Sequence, residues 1–119
     1  MSDYKDLNVW QKSIDLVEII YQVIKAFPRE ETYALSDQIK RAVVSIPSNI
    51  AEGASRNSNR EFVQFLYIAL GSASEVETQL IIAQRLRYIL SIEEELEEIT
   101  RIRKMLNSLI TSIKKKIQK

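Results

Sequence analysis

The chain has 119 residues, 45% of them hydrophobic and 28% charged, with a formal net charge of +1. This size and composition give one globular domain, residues 1–119, and exclude a disordered chain or the strongly basic footprint of a typical nucleic-acid-binding module. With Gly 2, Pro 2, Cys 0 and His 0, turn chemistry is too sparse for an all-β fold. Thiolate and disulfide chemistry are absent, as are the commonest general base and the commonest transition-metal ligand. No segment reads as a signal peptide or approaches the roughly 18 apolar residues of a membrane span, so a cytoplasmic protein without membrane contact is expected.

The first helix is expected from Val9 to Ala26, capped by Asn8 with Gln11 completing a capping box. It carries two apolar rows. Leu7, Trp10, Ile14, Val17, Tyr21 and Ile24 form one; Val9, Leu16, Ile20, Val23 and Phe27 form the other. The surplus row is either a subunit interface or part of a wide core stripe. Phe27-Pro28 ends the helix, because the residue before proline is pushed out of the α region.

The second helix is expected from Glu31 to Glu52, with Gly53 as its stop. Ile39, Val43, Ile46 and Ile50 form its apolar row. Pro47 lacks an amide hydrogen and clashes with the Val43 carbonyl, so a kink is expected there. A polar row shares the helix: Arg41, Ser45, Asn49, Glu52 and Arg56 recur at helical spacing. Ala54 to Asn57 forms a short loop.

Ser58 and Glu61 make a capping box for a third helix running to about Leu90. Phe62, Leu66, Ala69, Ala73, Val76, Leu80 and Ala83 give it a seven-residue seam, and Gly71, Ser72 and Ser74 narrow its middle. Val63, Tyr67, Leu70, Ile81 and Tyr88 form a secondary row suited to a subunit contact. The fourth helix starts at Ser91, with Glu94 as the capping partner. Ile92, Leu96, Ile99, Leu106, Ile110, Ile113 and Ile117 keep bundle spacing, and Arg103 interrupts it. Acid at its start and base at its end complement the helix dipole. The fold expected is an all-α, antiparallel up-down-up-down four-helix bundle.

Two readings of the polar row compete. In one, Arg41, Asn49 and Arg56 face a ligand such as phosphate or single-stranded RNA, together with Arg60 and the tail lysines Lys114, Lys115 and Lys116, because the arginine fork binds two oxygens at once. In the other, Arg41, Ser45, Asn49 and Glu52 form a structural polar network with Glu75 and Gln79 of the third helix, fixing register rather than adding much stability. Glu52, Glu75 and Glu77 are oxygen donors for a hard cation in principle, but pairing with Arg41 or Arg56 is the simpler role. Trp10 and Phe62 are expected to be buried rather than exposed for base stacking. Catalysis, a metal site and a cofactor are not expected.

The runs DLNVWQKSIDLVEIIY (Asp6 to Tyr21), FPREETYALSDQIKRAVVSIPSNIAEGASR (Phe27 to Arg56) and EFVQFLYIALGSASEVETQL (Glu61 to Leu80) cover most of the chain. On these runs the chain resembles the family of four-helix-bundle proteins encoded in intervening sequences of bacterial 23S rRNA genes. The resemblance implies a small, non-enzymatic bundle of unsettled role that assembles into rings, notably homopentamers. RNA binding is expected from the genes' location inside rRNA. A related bundle, the accessory variability protein of diversity-generating retroelements, is a pentamer that binds nucleic acid and partners a reverse transcriptase; it is strongly basic, and this chain departs from it. A ring would repeat a modest basic patch, so avidity offsets weak single contacts. The partners expected are further copies of the chain and rRNA or another nucleic acid. The alternative is a protein-interaction scaffold with a protein partner and no nucleic-acid role.

Overall fold

The computed structural model describes residues 3–117. Four long helices dominate: α1 (Asn8–Ile24), α2 (Leu35–Ala54), α3 (Asn59–Arg85) and α4 (Glu93–Ile117). Short 3₁₀ turns at Tyr4–Asp6 and Arg29–Glu31 precede α1 and α2. There is no strand among the described residues. α1 packs on α2 and α4, and α3 packs on α2 and α4, so the helices form a four-membered ring of neighbours. Contact register runs opposite along neighbours: Ser45 meets Ser72 while Gly53 lies at Phe62 and Phe65. The same holds for α3 and α4, where Glu77 meets Arg103 and Tyr67 meets Lys114. The molecule is elongated, 50 × 23 × 20 Å.

The apolar rows explain the arrangement. The seam of α3 faces inward as expected: Leu66, Ala69, Ala73, Val76, Leu80 and Ala83 are all fully buried. Ile39, Val43, Ile46 and Ile50 of α2 are equally buried, as are Ile99, Ile102 and Leu106 of α4. Burying one such Leu or Ile contributes about 1.5–3 kcal/mol, far more than helix propensity does per residue, so packing decides the fold. Of the two rows on α1, the one through Val9, Leu16 and Ile20 is the core row, joined by Ile24. Trp10 and Val17 are half-buried and Tyr21 is 41% exposed. Trp10 and Phe62 lie near one end of the bundle, where cover thins, and both are half-buried rather than buried.

Helix ends differ from the expected ones for local reasons. α1 begins one residue early, at Asn8 with Leu7 in the N-cap position, and Gln11 donates to the Lys5 carbonyl instead of completing a box with Asn8. α1 ends at Ile24, and a turn carries the chain to Phe27. α2 begins at Leu35 rather than Glu31, because Arg29–Glu31 forms a 3₁₀ turn and the Glu31 carboxylate accepts the Leu35 N–H. α2 continues through Pro47 and past Gly53 to Ala54. The Ser58 cap holds, its hydroxyl accepting from the Glu61 N–H at 3.2 Å. α3 stops at Arg85, short of Leu90. Arg87 adopts φ 66°, Tyr88 N–H reaches the Ala83 carbonyl and Arg87 N–H the Gln84 carbonyl. That is a Schellman stop with arginine in the position usually held by glycine. α4 starts at Glu93, two residues beyond Ser91, with Leu96 N–H bonded to the Ile92 carbonyl.

Gly53 is not a helix stop but a point of close approach. A Cβ added there would lie 2.7 Å from Phe65 Cβ and 3.2 Å from the Phe62 carbonyl oxygen. Those atoms belong to or adjoin backbone, so α2 and α3 would have to separate. We expect Gly53→Ala to lower stability by about 1–3 kcal/mol from overpacking, against the ~1 kcal/mol that alanine gains in helix propensity. A thermal melt that is unchanged or raised would refute the close-approach role.

The two connections at the far end are tied by one bond. Tyr88 Oη donates to Glu31 Oε2 at 2.7 Å, and the Tyr88 ring lies 5.7 Å from that of Phe27. The Tyr88 hydroxyl, then the Leu35 N–H, hold the Glu31 carboxyl below the usual carboxylate range, and the Glu31 bond raises the Tyr88 phenol. A depressed carboxylate stabilises the fold above its ordinary pKa and loses that contribution as pH falls through the depressed value. Tyr88→Phe is expected to move the Glu31 titration up toward the ordinary range and to flatten the acid limb of stability. Carbon-detected NMR titration of Glu31 reads this directly, and an unmoved midpoint would exclude the coupling.

Candidate nucleic-acid interface

The structure divides the polar row by side-chain length and depth. Ser45 and Asn49 lie half-buried against α3. The Ser45 and Ser72 hydroxyls are 2.9 Å apart, and Asn49 Nδ2 donates to both the Ser45 carbonyl and the Ser45 hydroxyl at 2.8 Å. The Ser45–Ser72 bond therefore ties α2 to α3, with Asn49 bonded to Ser45 from its own helix. The Asn49 bond goes to the Ser45 carbonyl, not to the Val43 carbonyl that Pro47 leaves without its helical donor.

The longer members turn outward. Arg41 pairs with Asp37 at 3.0 Å with its side chain 80% exposed, and Glu52 pairs with Arg56 at 3.6 Å. Glu75 takes a 3.4 Å bond from Gln79 on its own helix. The expected bridges from Arg41 and Glu52 to Glu75 and Gln79 are not formed; each long side chain finds a partner one turn away, which avoids the desolvation of a cross-helix charge pair. Ser72, not expected in the network, is its α3 partner; its place between Ala69 and Ala73 on a buried strip is the signal that could have shown it. Arg103 explains its own interruption of the α4 spacing: half-buried, it pairs with Glu77 of α3 at 3.0 Å. Gln79 Oε1 and Arg103 Nε are buried without a partner.

The remaining candidate cations converge on one end. Arg56 lies with its guanidinium 4.9 Å from the Phe65 ring centroid. Lys114 Nζ donates to Tyr67 Oη at 2.6 Å and lies 5.0 Å from that ring's centroid. Phe65 and Tyr67 are two residues apart near the start of α3, where Arg60 is the second residue. Lys115 and Lys116 follow Lys114, exposed in the last turn of α4. Arg56, Arg60, Lys114, Lys115 and Lys116 thus share the end formed by the α2–α3 turn and the α4 C-terminus. Arg41 does not: it precedes the end of α2 at Ala54 by thirteen residues, about 20 Å along the helix. The aromatic rings serve as seats for cations, a role that no spacing between Arg56 and Phe65 announces, because the contact crosses a turn.

The opposite end carries both signs, with Arg29, Arg85 and Arg87 in the same connections as its carboxylates. Glu93, Glu94 and Glu95 fill the first turn of α4. Glu30 lies in the α1–α2 connection that the Glu31–Tyr88 bond holds beside the α3–α4 connection. The ends are separated by about 40 Å, the length of α3, against a screening length of about 8 Å at physiological salt. Charges at one end are therefore screened from those at the other.

The family model of the 23S rRNA-intervening sequence protein matches residues 5–108. The chain belongs to that family. A crystal structure of a protein of unknown function from the S23 ribosomal protein family of Bacteroides thetaiotaomicron is similar to it, with a TM-score of 0.79 and 33% identity. The match covers 86% of this chain and 97% of that one. No curated protein matched. The 23S rRNA-intervening sequence match spans α1 to α3 and the first part of α4, and stops short of Lys114–Lys116. No helix among the described residues is long and apolar enough to cross a membrane. The described residues hold no cluster of three or more acidic, His or Cys groups able to bind a metal.

If Asn49 is structural, replacing its donating amide must be felt in stability. Asn49→Asp sets an acceptor-only carboxylate against the Ser45 carbonyl and is expected to cost about 1–3 kcal/mol at neutral pH, with Asn49→Ala costing less. Denaturant titration checks this; a neutral result for both variants would return the row to the ligand-face reading.

Proposed function

We propose that this 23S rRNA-intervening sequence family member is a non-catalytic, homo-oligomeric RNA-binding protein. It holds RNA through phosphate contacts at its basic end, without reading bases. The observation that carries this reading is the convergence of Arg56, Arg60, Lys114, Lys115 and Lys116 on one end of an elongated bundle. Arginine forks and lysine point charges neutralise phosphate and release counterions, which gives affinity without sequence information. Five cations on one subunit are a modest set. Assembly, with a pentamer the form implied by the family resemblance, repeats the set along one RNA and raises the effective affinity. The family's name supports RNA as the partner. Residues 41–52 keep a structural role.

The test is fluorescence anisotropy with a 23S rRNA fragment across a salt series. Binding is expected to fall steeply as salt rises. Lys114→Gln, Lys115→Gln and Lys116→Gln together are expected to reduce the logarithmic salt slope by about 2, while Arg41→Gln leaves it unchanged. No uptake at low salt, or a triple variant that binds like the parent, would refute the basic-end reading. The former result would favour the alternative, a protein-interaction scaffold, which the exposed apolar face of α3 supports.

A further inference from the structure

The outward face of α3 is not built for solvent. Ile68, Ile82 and Leu86 are 51%, 42% and 52% exposed, and with Gly71, Glu75 and Thr78 they follow one another at helical spacing. Single exposed apolar residues are ordinary; a row of them along one helix marks a contact surface. Gly71 lies in the middle of this row. Glycine is the poorest helix former after proline, and a Cβ at Gly71 would meet nothing within 4 Å. Nothing inside the subunit requires a glycine there, whereas a helix or loop of another chain approaching this face would.

The chemistry of the row selects its occupant. It carries Glu75, whose one bonded partner is the amide of Gln79. Phosphate is therefore disfavoured. The row itself carries no Lys or Arg, so pairing two such rows about a two-fold axis gives Glu75 no counter-charge, and an isologous contact is disfavoured as well. Another side of the bundle, between α1 and α4, offers the complement. An open groove of about 500 Å³ is lined there by Leu7, Val9, Met105 and Leu109, with Arg101 and Lys104 at its edge. Arg101 pairs with Glu98, while Lys104 forms no ion pair among the described residues. One side presents apolar groups around a carboxylate, the other an apolar groove beside a free ammonium. Because α1 neighbours α2 and α4 but not α3, the two surfaces lie on different sides of the subunit.

We infer that the α3 row of one subunit docks on the α1–α4 groove of a second copy, with Glu75 directed to Lys104. The contact is heterologous, so repeated application closes a ring or extends a filament. This rests on the assembly part of the function proposed above and adds the two surfaces that carry it.

Sedimentation velocity of the full chain, with circular dichroism to monitor folding, tests the assignment. Gly71→Arg has free space within the subunit and improves helix propensity, so it is expected to keep the fold and its melting temperature while the assembled species collapses to the 13.8 kDa monomer. Glu75→Lys and Lys104→Glu alone are each expected to shift the protein toward monomer, and the double variant to restore the assembly. A parent that is itself monomeric would overturn the assembly reading and this docking together. An assembled parent whose Gly71→Arg form keeps the same mass would overturn the docking alone, as would charge reversals without effect.

Discussion

The distance between α2 and α3 governs the rest of the molecule. At Gly53 the two backbones come so close that Phe65 Cβ and the Phe62 carbonyl occupy the space a side chain would need. The small residues Ala69, Ser72 and Ala73 continue the strip along α3. Only at this spacing can two serine hydroxyls, the shortest polar groups available, meet across helices as Ser45 and Ser72 do. The same closeness makes the turn after α2 short, and the short turn sets Arg56 over Phe65. Register, cross-helix polar bonding and the placement of a surface cation therefore share one steric cause.

α4 carries opposite charge at its two ends. Lysines in the last turn of α4 and glutamates in its first turn each offset a helix end, which is a sufficient structural reason for their signs. That role also limits them. A lysine that neutralises the α4 C-terminus, or donates to Tyr67 as Lys114 does, offers phosphate less than a free ammonium would. For the RNA contact proposed above, the basic end of one subunit would thus be a weak site, and repetition by assembly would matter more than the strength of any single contact. Arg56 is held likewise between Glu52 and a ring.

The inward faces were legible in the sequence because burial leaves a period. The α3 seam, the α2 row and the bundle spacing of α4 were all read from spacing and are buried, apart from the half-buried Phe62, Leu96 and Ile117 towards the helix ends. The helix ends were less legible, because they depend on contacts that spacing does not encode. Arg87 stops α3 in a conformation normally signalled by glycine, and Glu31 caps α2 from outside the helix with a carboxylate also bound to Tyr88. The polar row shows a different limit. A helical wheel gives the angle of a residue but not how far its side chain reaches. Arg41 and Ser45 share a face, yet Arg41 bends along its own helix to Asp37 while Ser45 meets the next helix. Of the candidate binding residues, the sequence identified the cations, but only the fold separates Arg41 from the other five.

The two glycines make the same point from opposite sides. In the sequence, Gly53 resembled a helix stop and Gly71 a place where a neighbour could approach. In the fold both are helical, and neither has a positive φ. Backbone freedom therefore explains neither; each must be judged by what surrounds it. Gly53 is enclosed by Phe62 and Phe65, so its role is complete within the subunit. Gly71 faces open space amid exposed apolar residues, where alanine would strengthen α3 without touching another atom of the chain. A helix of this length tolerates one such residue because packing elsewhere dominates its stability. Tolerance accounts for a glycine surviving there, but not for the row of isoleucine and leucine around it. The docking proposed on a second copy would give that row and the glycine one common explanation, and the carboxylate in their midst favours a surface carrying positive charge.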